Sequence, residues 1–597
     1  MNWYERAVFY HIYPLGLSGA PKKNDYGEPV HRLNTLLPWI EHIRNLGCNA
    51  LYIGPLFESV GHGYETTDYR KVDNRLGTNE DLKNFVAECH RQGIRVILDG
   101  VFNHVGRDFF AFQDLQQNRE NSLYRDWFCN VNFWGNNEYN DGFSYENWGG
   151  YNLLVKLNQK NGDVQNYLCD SIRMWVEEFD IDGLRLDAAD VLDFGFMQTL
   201  RRLAEEVKPE FWLMGEVIHG DYTRWVNDST LHSVTDYNLH KALYSGHNDH
   251  NYFEIAHTVK HIYDMGLNHA GGRKLYSFTD NHDVERIYTK LQDKGHFIPV
   301  HILLYTLPGI PSVYYGSEFG IEGHKEQWSD DSLRPALNLE DFKDALTNNP
   351  YTGLIATLGR LRQSLQALYD GDYRELLLTN RQFAFDRTKD DQIVIVAVNN
   401  DSNPVDLCIP VDGNRSYIGV LSGQRIMVTD DRLNGTIPGN SGEIWIPEDT
   451  DCLTEASAFR DISKMPITNR AEQPSSAAGK ADMSAAGKTT AEGGKKTDST
   501  SEKKTTSKGE GEAALENDKK TVAEAEKKDA SATDSKNPET KKVPDNRSYE
   551  EMTVEELQNA ILEKLAQNGP VTDQMRKDVA DNIWHDSLVT WVKSFQR

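Results

Sequence analysis

Short apolar runs alternate with amphipathic stretches over roughly the first 365 residues of the chain. Several of the intervening stretches repeat apolar residues at helical spacing and end just before a glycine, as 36–46 does before Gly47. Eight strand–helix units predict an α/β fold built as a (β/α)8 TIM barrel. A doubly wound open sheet is the alternative, but no Gly-rich phosphate loop follows the first run. The eight predicted strands are residues 8–14, 50–55, 96–103, 183–187, 212–216, 233–237, 275–279 and 311–315.

The remaining segments depart from this alternation and suggest further domains. The long connection 105–152, rich in Phe, Trp, Asn and Gly, predicts a small inserted domain after the third strand, which leaves 1–104 and 153–365 for the barrel,. Residues 366–455 show short strand-like runs between turn signals, a pattern typical of a β-sandwich. Residues 464–547 contain no aromatic residue and are rich in Ala, Lys, Thr, Ser, Glu and Gly, so they predict a disordered linker,.

The C-terminal residues 548–597 predict a short helical module. A capping-box pattern at 553–556 precedes Leu557, Ile561 and Leu565, and Asn568-Gly569-Pro570 would end that helix,. A second helical stretch is expected between Met575 and Phe595. This module is compatible with docking onto the enzyme or a partner, and equally with a partly folded tail, because isolated helices are marginal in water.

Composition and charge limit the classes of binding partner and indicate the cellular compartment. The formal net charge of −27 disfavours nucleic acid and anionic membranes, which require basic surfaces,. No apolar run reaches the length of a membrane span, and no secretory signal precedes the first strand-like run,. The six cysteines form no CxxC pair, so a zinc site is not expected,. These features predict a cytoplasmic protein with reduced thiols.

The stretch 181–187, Ile-Asp-Gly-Leu-Arg-Leu-Asp, is the fourth predicted strand. Side chains two positions apart share a face of a strand, so Arg185 and Asp187 point one way and Leu184 and Leu186 the other. An unpaired charge on a buried strand would be costly. On its own, the stretch fits a structural ion pair as well as an ionised carboxylate held ready for chemistry.

Other strand ends carry acids or histidines as well. In a TIM barrel, the carboxyl ends of the strands converge on one rim, where catalytic residues are found. The sequence contains no GxSxG nucleophile motif and no metal-like histidine cluster,. Paired carboxylates flanked by aromatic residues fit cleavage of a glycosidic bond, which needs one protonated acid and one ionised nucleophile. The strand ends concerned are 99–104, 183–187, 213–216 and 278–283.

These strand ends resemble the signature motifs of the α-amylase family of glycoside hydrolases, in the order that the family shows. Residues 99–104 match D-x-V-x-N-H, 183–187 match G-x-R-x-D, 215–216 are G-E and 281–283 are N-H-D. Further similarity lies at 63–69 and 309–316, so the resemblance covers about residues 3–450.

The resemblance implies a retaining mechanism with three catalytic carboxyl groups. Asp187 would be the nucleophile, and Arg185 would keep it ionised and oriented. Glu216 would act first as general acid and then as base, while Asp283 would bind sugar hydroxyls and stabilise the transition state. The carboxyl groups of Asp187 and Glu216 are then expected about 5–5.5 Å apart.

The resemblance also implies a set of sugar-binding residues. His104 and His282 would donate hydrogen bonds to the sugar at the cleavage point, and Tyr64 would stack on its ring. Asp99 is interpreted as a support residue of the pocket, with structural and binding roles equally open.

Two short segments indicate which group within the family this chain resembles. Residues 154–158, Leu-Val-Lys-Leu-Asn, resemble the M-P-K-L-N marker of neopullulanases and cyclomaltodextrinases, whereas oligo-1,6-glucosidases carry Q-P-D-L-N. Asp190 and Val191 stand where α-amylases usually place Lys-His, whose histidine serves a calcium site. Since Asn103 alone would not replace that site, no metal or other cofactor is expected. Asp330 and Arg334 resemble a pair that contacts a more distant sugar subsite in some relatives, but here they are interpreted as a loop salt bridge.

The sequence therefore predicts a hydrolase of α-1,4-linked maltodextrins, with cyclodextrins or pullulan as further substrates. A 4-α-glucanotransferase and an α-1,6-glucosidase remain alternatives, because the same residues would form the same intermediate. A catalytically silent glucan-binding or interaction protein is the alternative of another class. The presence of Asp187, Glu216 and Asp283 together argues against it.

Overall fold

The computed structural model describes residues 2–326, 329–450 and 554–568. Eight parallel strands form one sheet in which chain neighbours are spatial neighbours, and the eighth strand pairs with the first. A parallel bridge between Thr235 and Tyr276 joins the sixth strand to the seventh and closes the sheet. The (β/α)8 barrel is thus confirmed, and each predicted run overlaps one strand. The strands are Phe9–Ile12, Ala50–Ile53, Arg95–Gly100, Gly183–Leu186, Trp212–Gly215, Ser233–Val234, Tyr276–Phe278 and Ile310–Tyr314.

The helices around the barrel depart from a regular repeat at one place. The fifth strand is followed by a single 3-10 turn, Tyr222–Arg224, because Gly220, Asp221 and Asn227 favour turns in a short connection,. Two helices follow the sixth strand instead. The main helices are Leu37–Asn45, Asn79–Arg91, Gly162–Phe179, Phe194–Val207, Tyr237–Asn248, Tyr252–Asp264, Phe297–Thr306 and Pro350–Ser364, with shorter ones at Pro14–Leu17, Ile287–Lys290, Ala345–Asn348 and Gln366–Asp370.

The barrel interior is layered, and this layering places the polar residues. Side chains on one face of the strands form a closed aromatic cluster, in which Trp212 stacks on Phe9 at a centroid distance of 5.1 Å. Two residues further along their strands, on the same inward face, lie Asp99 and Arg185, after Ile97 and Gly183,. The opposite face, with Leu184 and its neighbours, packs against the helices. Asp99 and Arg185 therefore lie at the carboxyl end of the barrel interior.

The connection after the third strand forms the inserted domain. Its three-stranded antiparallel sheet consists of His104–Val105, Asn147–Trp148 and Tyr151–Lys156, and a helix spans Phe110–Asn118. The sheet thus starts one residue before the predicted range 105–152 and ends a few residues after it.

An antiparallel β domain follows the barrel and confirms the predicted sandwich layout. One sheet has six strands and the second has two. Arg387 is buried against the barrel and donates to the carbonyl oxygen of Thr306 at 2.7 Å. The strands are Asp372–Leu378, Gln382–Lys389, Gln392–Asn399, Val405–Pro410, Ser416–Gly419, Arg425–Met427, Arg432–Ile437 and Ser441–Pro447.

One helix of the C-terminal module is described, Val554–Asn568, where the capping box and the leucine spacing predict it. The predicted linker 464–547 and the second helical stretch of the module lie outside the described residues. None of the helices in the described ranges is both long and apolar enough to cross a bilayer.

Candidate active site

Arg185 lies at the centre of the polar rim and contacts three carboxyl groups. Its Nη1 donates to Asp99 Oδ1 at 2.9 Å and to Asp187 Oδ1 at 3.0 Å, and its Nη2 lies 2.7 Å from Glu216 Oε2. These acids come from the third, fourth and fifth strands, whose parallel register sets Asp99 beside Arg185. The guanidinium is 3% exposed, so its charge acts in a poorly screened setting,.

Glu216 receives donors on both carboxyl oxygens. Its Oε2 accepts from the backbone N–H of Ala188 at 3.2 Å as well as from Arg185. Among the described residues, its Oε1 accepts a hydrogen bond from the Tyr237 hydroxyl alone, at 3.3 Å. Oε1 is thus the oxygen that can still carry a proton or contact a substrate atom.

Asp283 is held by two cationic or potentially cationic groups. Its Oδ1 lies 2.6 Å from Arg334 Nη2 and its Oδ2 lies 3.0 Å from His282 Nε2. Burial alone would raise the pKa of Asp283, but His282 and Arg334 together hold it well below its usual range. The carboxyl group is therefore ionised at neutral pH.

For Asp187, the factors that raise the pKa outweigh the one that lowers it. Burial raises its pKa well above the ordinary value, and the charges of Glu216, Asp99 and Asp283 add to this rise, while Arg185 opposes it. One guanidinium faces more negative charge than it can neutralise. Asp187 therefore binds a proton more readily than an isolated aspartate would, and the charge of Arg185 opposes this,.

The three predicted sugar-binding side chains line the same rim. The Tyr64 hydroxyl donates to Asp99 Oδ2 at 3.0 Å and contacts His282 Nε2, and the two rings lie parallel with centroids 5.6 Å apart. His104 stacks on Trp148 of the inserted domain. Burial lowers the pKa of His104 to about 3, and its Nε2 has no protein partner among the described residues. A buried, unpaired ring nitrogen is well suited to a ligand hydroxyl.

These groups surround an open cleft of about 720 Å³, here called the catalytic cleft. The structure brings together all seven residues that the sequence predicts for the site. Asp187, Glu216 and Asp283 line its wall together with Tyr64 and His104, and Arg185 and His282 support them from beneath through the contacts described above.

The α-amylase catalytic-domain family model matches residues 30–351. The chain belongs to the α-amylase family of glycoside hydrolases. A cyclomaltodextrinase from a Bacillus species is 30% identical over 423 residues, which cover 67% of this chain and 73% of the relative. Neopullulanase 2 of Thermoactinomyces vulgaris is 30% identical over 475 residues, 74% of this chain and 78% of the relative. A solved cyclomaltodextrinase structure superposes with a TM-score of 0.67 at 26% identity, covering 74% of this chain and 78% of that one.

Three contacts in this glycoside hydrolase's site were not predicted from the sequence. Arg334 contacts Asp283 in addition to its predicted partner Asp330, which lies 3.2 Å away. Tyr237 follows the sixth strand and bonds Glu216, and Trp148 reaches the cleft from the inserted domain. Tyr237 could have been found from its position at the end of a predicted strand. The contacts of Arg334 and Trp148 depend on tertiary packing, which the local sequence does not show.

The donors at the position of the family's calcium site do not fit that ion. Asn103 is buried, its Oδ1 has no protein partner within the described ranges, and its amide nitrogen faces His104 Nδ1 at 3.2 Å. In the described part of the chain, no three His, Cys, Asp or Glu side chains converge on a point that would hold a metal. Ca²⁺ takes six to eight oxygen ligands, whereas the side chain of Asn103 supplies one unpaired amide oxygen,.

Proposed function

We propose that this enzyme hydrolyses α-1,4-glucosidic bonds of maltodextrins with retention of configuration. The observation that carries the proposal is the contact of one buried guanidinium, Arg185, with both Asp187 and Glu216 at the wall of the catalytic cleft. Two carboxyl groups held by one cation are close enough to act on the same bond. The similarity to a cyclomaltodextrinase and a neopullulanase supports the substrate class.

In the first step, Asp187 attacks the anomeric carbon and Glu216 protonates the leaving oxygen. The bond to the leaving sugar breaks as the bond to Asp187 Oδ forms, and the proton leaves Glu216 with the departing alcohol. Because Arg185 and the Ala188 N–H occupy Oε2, the proton is carried on Oε1. Arg185 keeps the negative charge on Asp187 as the attack begins.

In the second step, Glu216 acts as base. It removes a proton from water, the oxygen attacks the anomeric carbon, and Asp187 leaves as a carboxylate. Two inversions give net retention. The ionised Asp283, together with Asp187, faces the positive charge that develops on the sugar ring in both transition states. His104, His282 and Tyr64 orient that ring.

Product analysis tests this proposal and its alternatives. Wild-type enzyme should release glucose and maltose from maltoheptaose and open cyclodextrin, and the newly formed ends should appear first as α-anomers in a time-resolved NMR spectrum. Pullulan should be cleaved at α-1,4 bonds, and isomaltose should remain intact. Oligomers longer than the substrate would instead show a glucanotransferase, and preferential cleavage of isomaltose would show an α-1,6-glucosidase. Binding without any product would show a silent glucan-binding protein, and β-anomers would contradict retention.

Catalysis is further proposed to need no bound metal, and the single unpaired amide oxygen of Asn103 supports this. Enzyme dialysed against EDTA should keep its kcat on maltoheptaose and its melting temperature within error. Addition of Ca²⁺ should change neither value. A loss of activity that Ca²⁺ restores would overturn this proposal.

A further inference from the structure

A second cavity, about 1090 Å³ in volume, adjoins the catalytic cleft. Its wall includes Tyr13, Leu15, Lys22, Tyr151 and Leu153. It is continuous with the cleft, since both are lined by His62, Leu154, Lys325, Asp330 and Arg334. A chain lying in the cleft can therefore extend into the second cavity.

The second cavity lies on the Asp283 side of the reacting centre. Arg334 lines the second cavity and bonds Asp283. The residues that bond Glu216, among them Ala188 and Tyr237, are absent from the described lining of the second cavity. Glu216 faces the leaving group in the proposed function, so the second cavity receives the opposite part of the substrate. That part is the glycone, the chain that becomes attached to Asp187.

One tight turn of the inserted domain places one aromatic ring at the catalytic cleft and another at the second cavity. Gly149 and Gly150 have φ values of 63° and 84°, the left-handed values that a two-residue hairpin turn requires,. On either side of this turn, Trp148 pairs with Tyr151. Trp148 stacks on His104 at the catalytic cleft, and Tyr151 lines the second cavity.

The hairpin is fixed in place by side-chain bonds below the turn. The Tyr145 hydroxyl donates to the carbonyl oxygen of Asn152 at 2.7 Å, and Asn147 Nδ2 donates to Asn152 Oδ1 at 2.8 Å. Lys156 pairs with Glu146 at its base. The Tyr151 ring is thus presented on a rigid support, which reduces the entropic cost of binding a ligand there.

Tyr151 is 65% exposed, and no ring stacking involves it in the described part of the chain. An exposed aromatic ring beside a substrate cleft offers an apolar face with a polar rim, and a glucose ring has the same character, with C–H faces and hydroxyl edges. We propose that Tyr151 is a binding platform for a distal glucosyl unit of the α-glucan glycone. This inference rests on the proposed function and extends it: the preferred substrates are chains long enough to reach the second cavity.

Affinity measured without turnover tests this site directly. In a Glu216→Gln background, calorimetric titration gives the Kd for maltoheptaose and for maltotriose, which is the shorter chain and has fewer units to extend from the cleft into the second cavity. Adding Tyr151→Ala should raise the Kd for maltoheptaose about 5- to 10-fold and change that for maltotriose less than twofold. Tyr151→Phe keeps the ring and should restore the affinity.

Trp134→Ala is the matched control. Trp134 is 99% exposed, belongs to the same inserted domain and lines neither space, so its removal should leave both Kd values unchanged. The inference is overturned if Tyr151→Ala changes neither ligand, weakens both equally, or is matched by Trp134→Ala. Binding that follows the expected pattern in an enzyme that never cleaves maltoheptaose would refute the proposed function and leave this site standing.

Discussion

Glu216→Gln should lower kcat for maltoheptaose by about 10³-fold or more while leaving substrate affinity nearly unchanged. Glutamine has the shape of glutamate, and its amide oxygen can still accept the bonds from Arg185 and the Ala188 N–H. It has no acidic proton to give the leaving oxygen and cannot act as a base. Steady-state kinetics on maltoheptaose measure the loss.

An activated substrate separates the roles of Glu216 and Asp187. A maltosyl fluoride has a leaving group that needs no proton, so Glu216→Gln should still form the covalent intermediate on Asp187. The missing base should then slow hydrolysis of this intermediate, and the protein should gain the mass of one maltosyl group in a mass spectrum. Asp187→Asn should show no such adduct.

Glu88→Gln provides the control for these measurements. Glu88 pairs with Arg91 on the helix Asn79–Arg91 and does not line the catalytic cleft. Its replacement should leave kcat unchanged. Full activity in Glu216→Gln, or an adduct in Asp187→Asn, would contradict the assigned roles.

The barrel could be predicted from the sequence because its strands are short runs rich in apolar residues. Eight such runs overlap the eight strands, since a strand buried on both faces leaves a local signature,. The absence of a helix between the fifth and sixth strands could not be predicted from periodicity. The connection containing Tyr222–Arg224 is governed by turn-forming residues, whose effect depends on how the neighbouring strands close,.

The active site was predictable where its residues follow strands, and much less so where they lie on loops. Asp187 and Glu216 stand at strand ends, and the order of parallel strands brings them to one rim. Arg334 and Tyr151 lie on long connections, and nothing in their local sequence shows which strand end or cavity they face. Their positions depend on tertiary packing, which a motif does not encode.

Arg185→Met should lower the unfolding free energy at pH 7 by about 3–5 kcal/mol. Methionine fills most of the space of arginine but leaves Asp99, Asp187 and Glu216 without their shared cation in a buried site. Asp99 keeps the hydroxyl bonds from Tyr52 and Tyr64, so the loss falls mainly on the other two carboxyl groups. Urea unfolding of both proteins measures the difference, and activity should be lost in parallel.

The pH dependence of this loss distinguishes charge from packing. Burial already raises the pKa of Asp187 in the wild type, and removing Arg185, which opposes that rise, raises it further. Above a pH of about 4, the unfolded chain has lost its carboxyl proton while both folded proteins retain theirs, so the stability of both falls as pH rises. Because Arg185 opposes the rise in pKa, the wild type releases its proton at a lower pH than the variant, and from that pH upward only the variant continues to lose stability. The gap to the wild type should therefore narrow from pH 8 to pH 5. Arg91→Met, which removes an exposed partner of Glu88, should show no measurable change at either pH,. A gap that is equal at both values would mean that Arg185 serves packing alone, because lost contacts do not titrate.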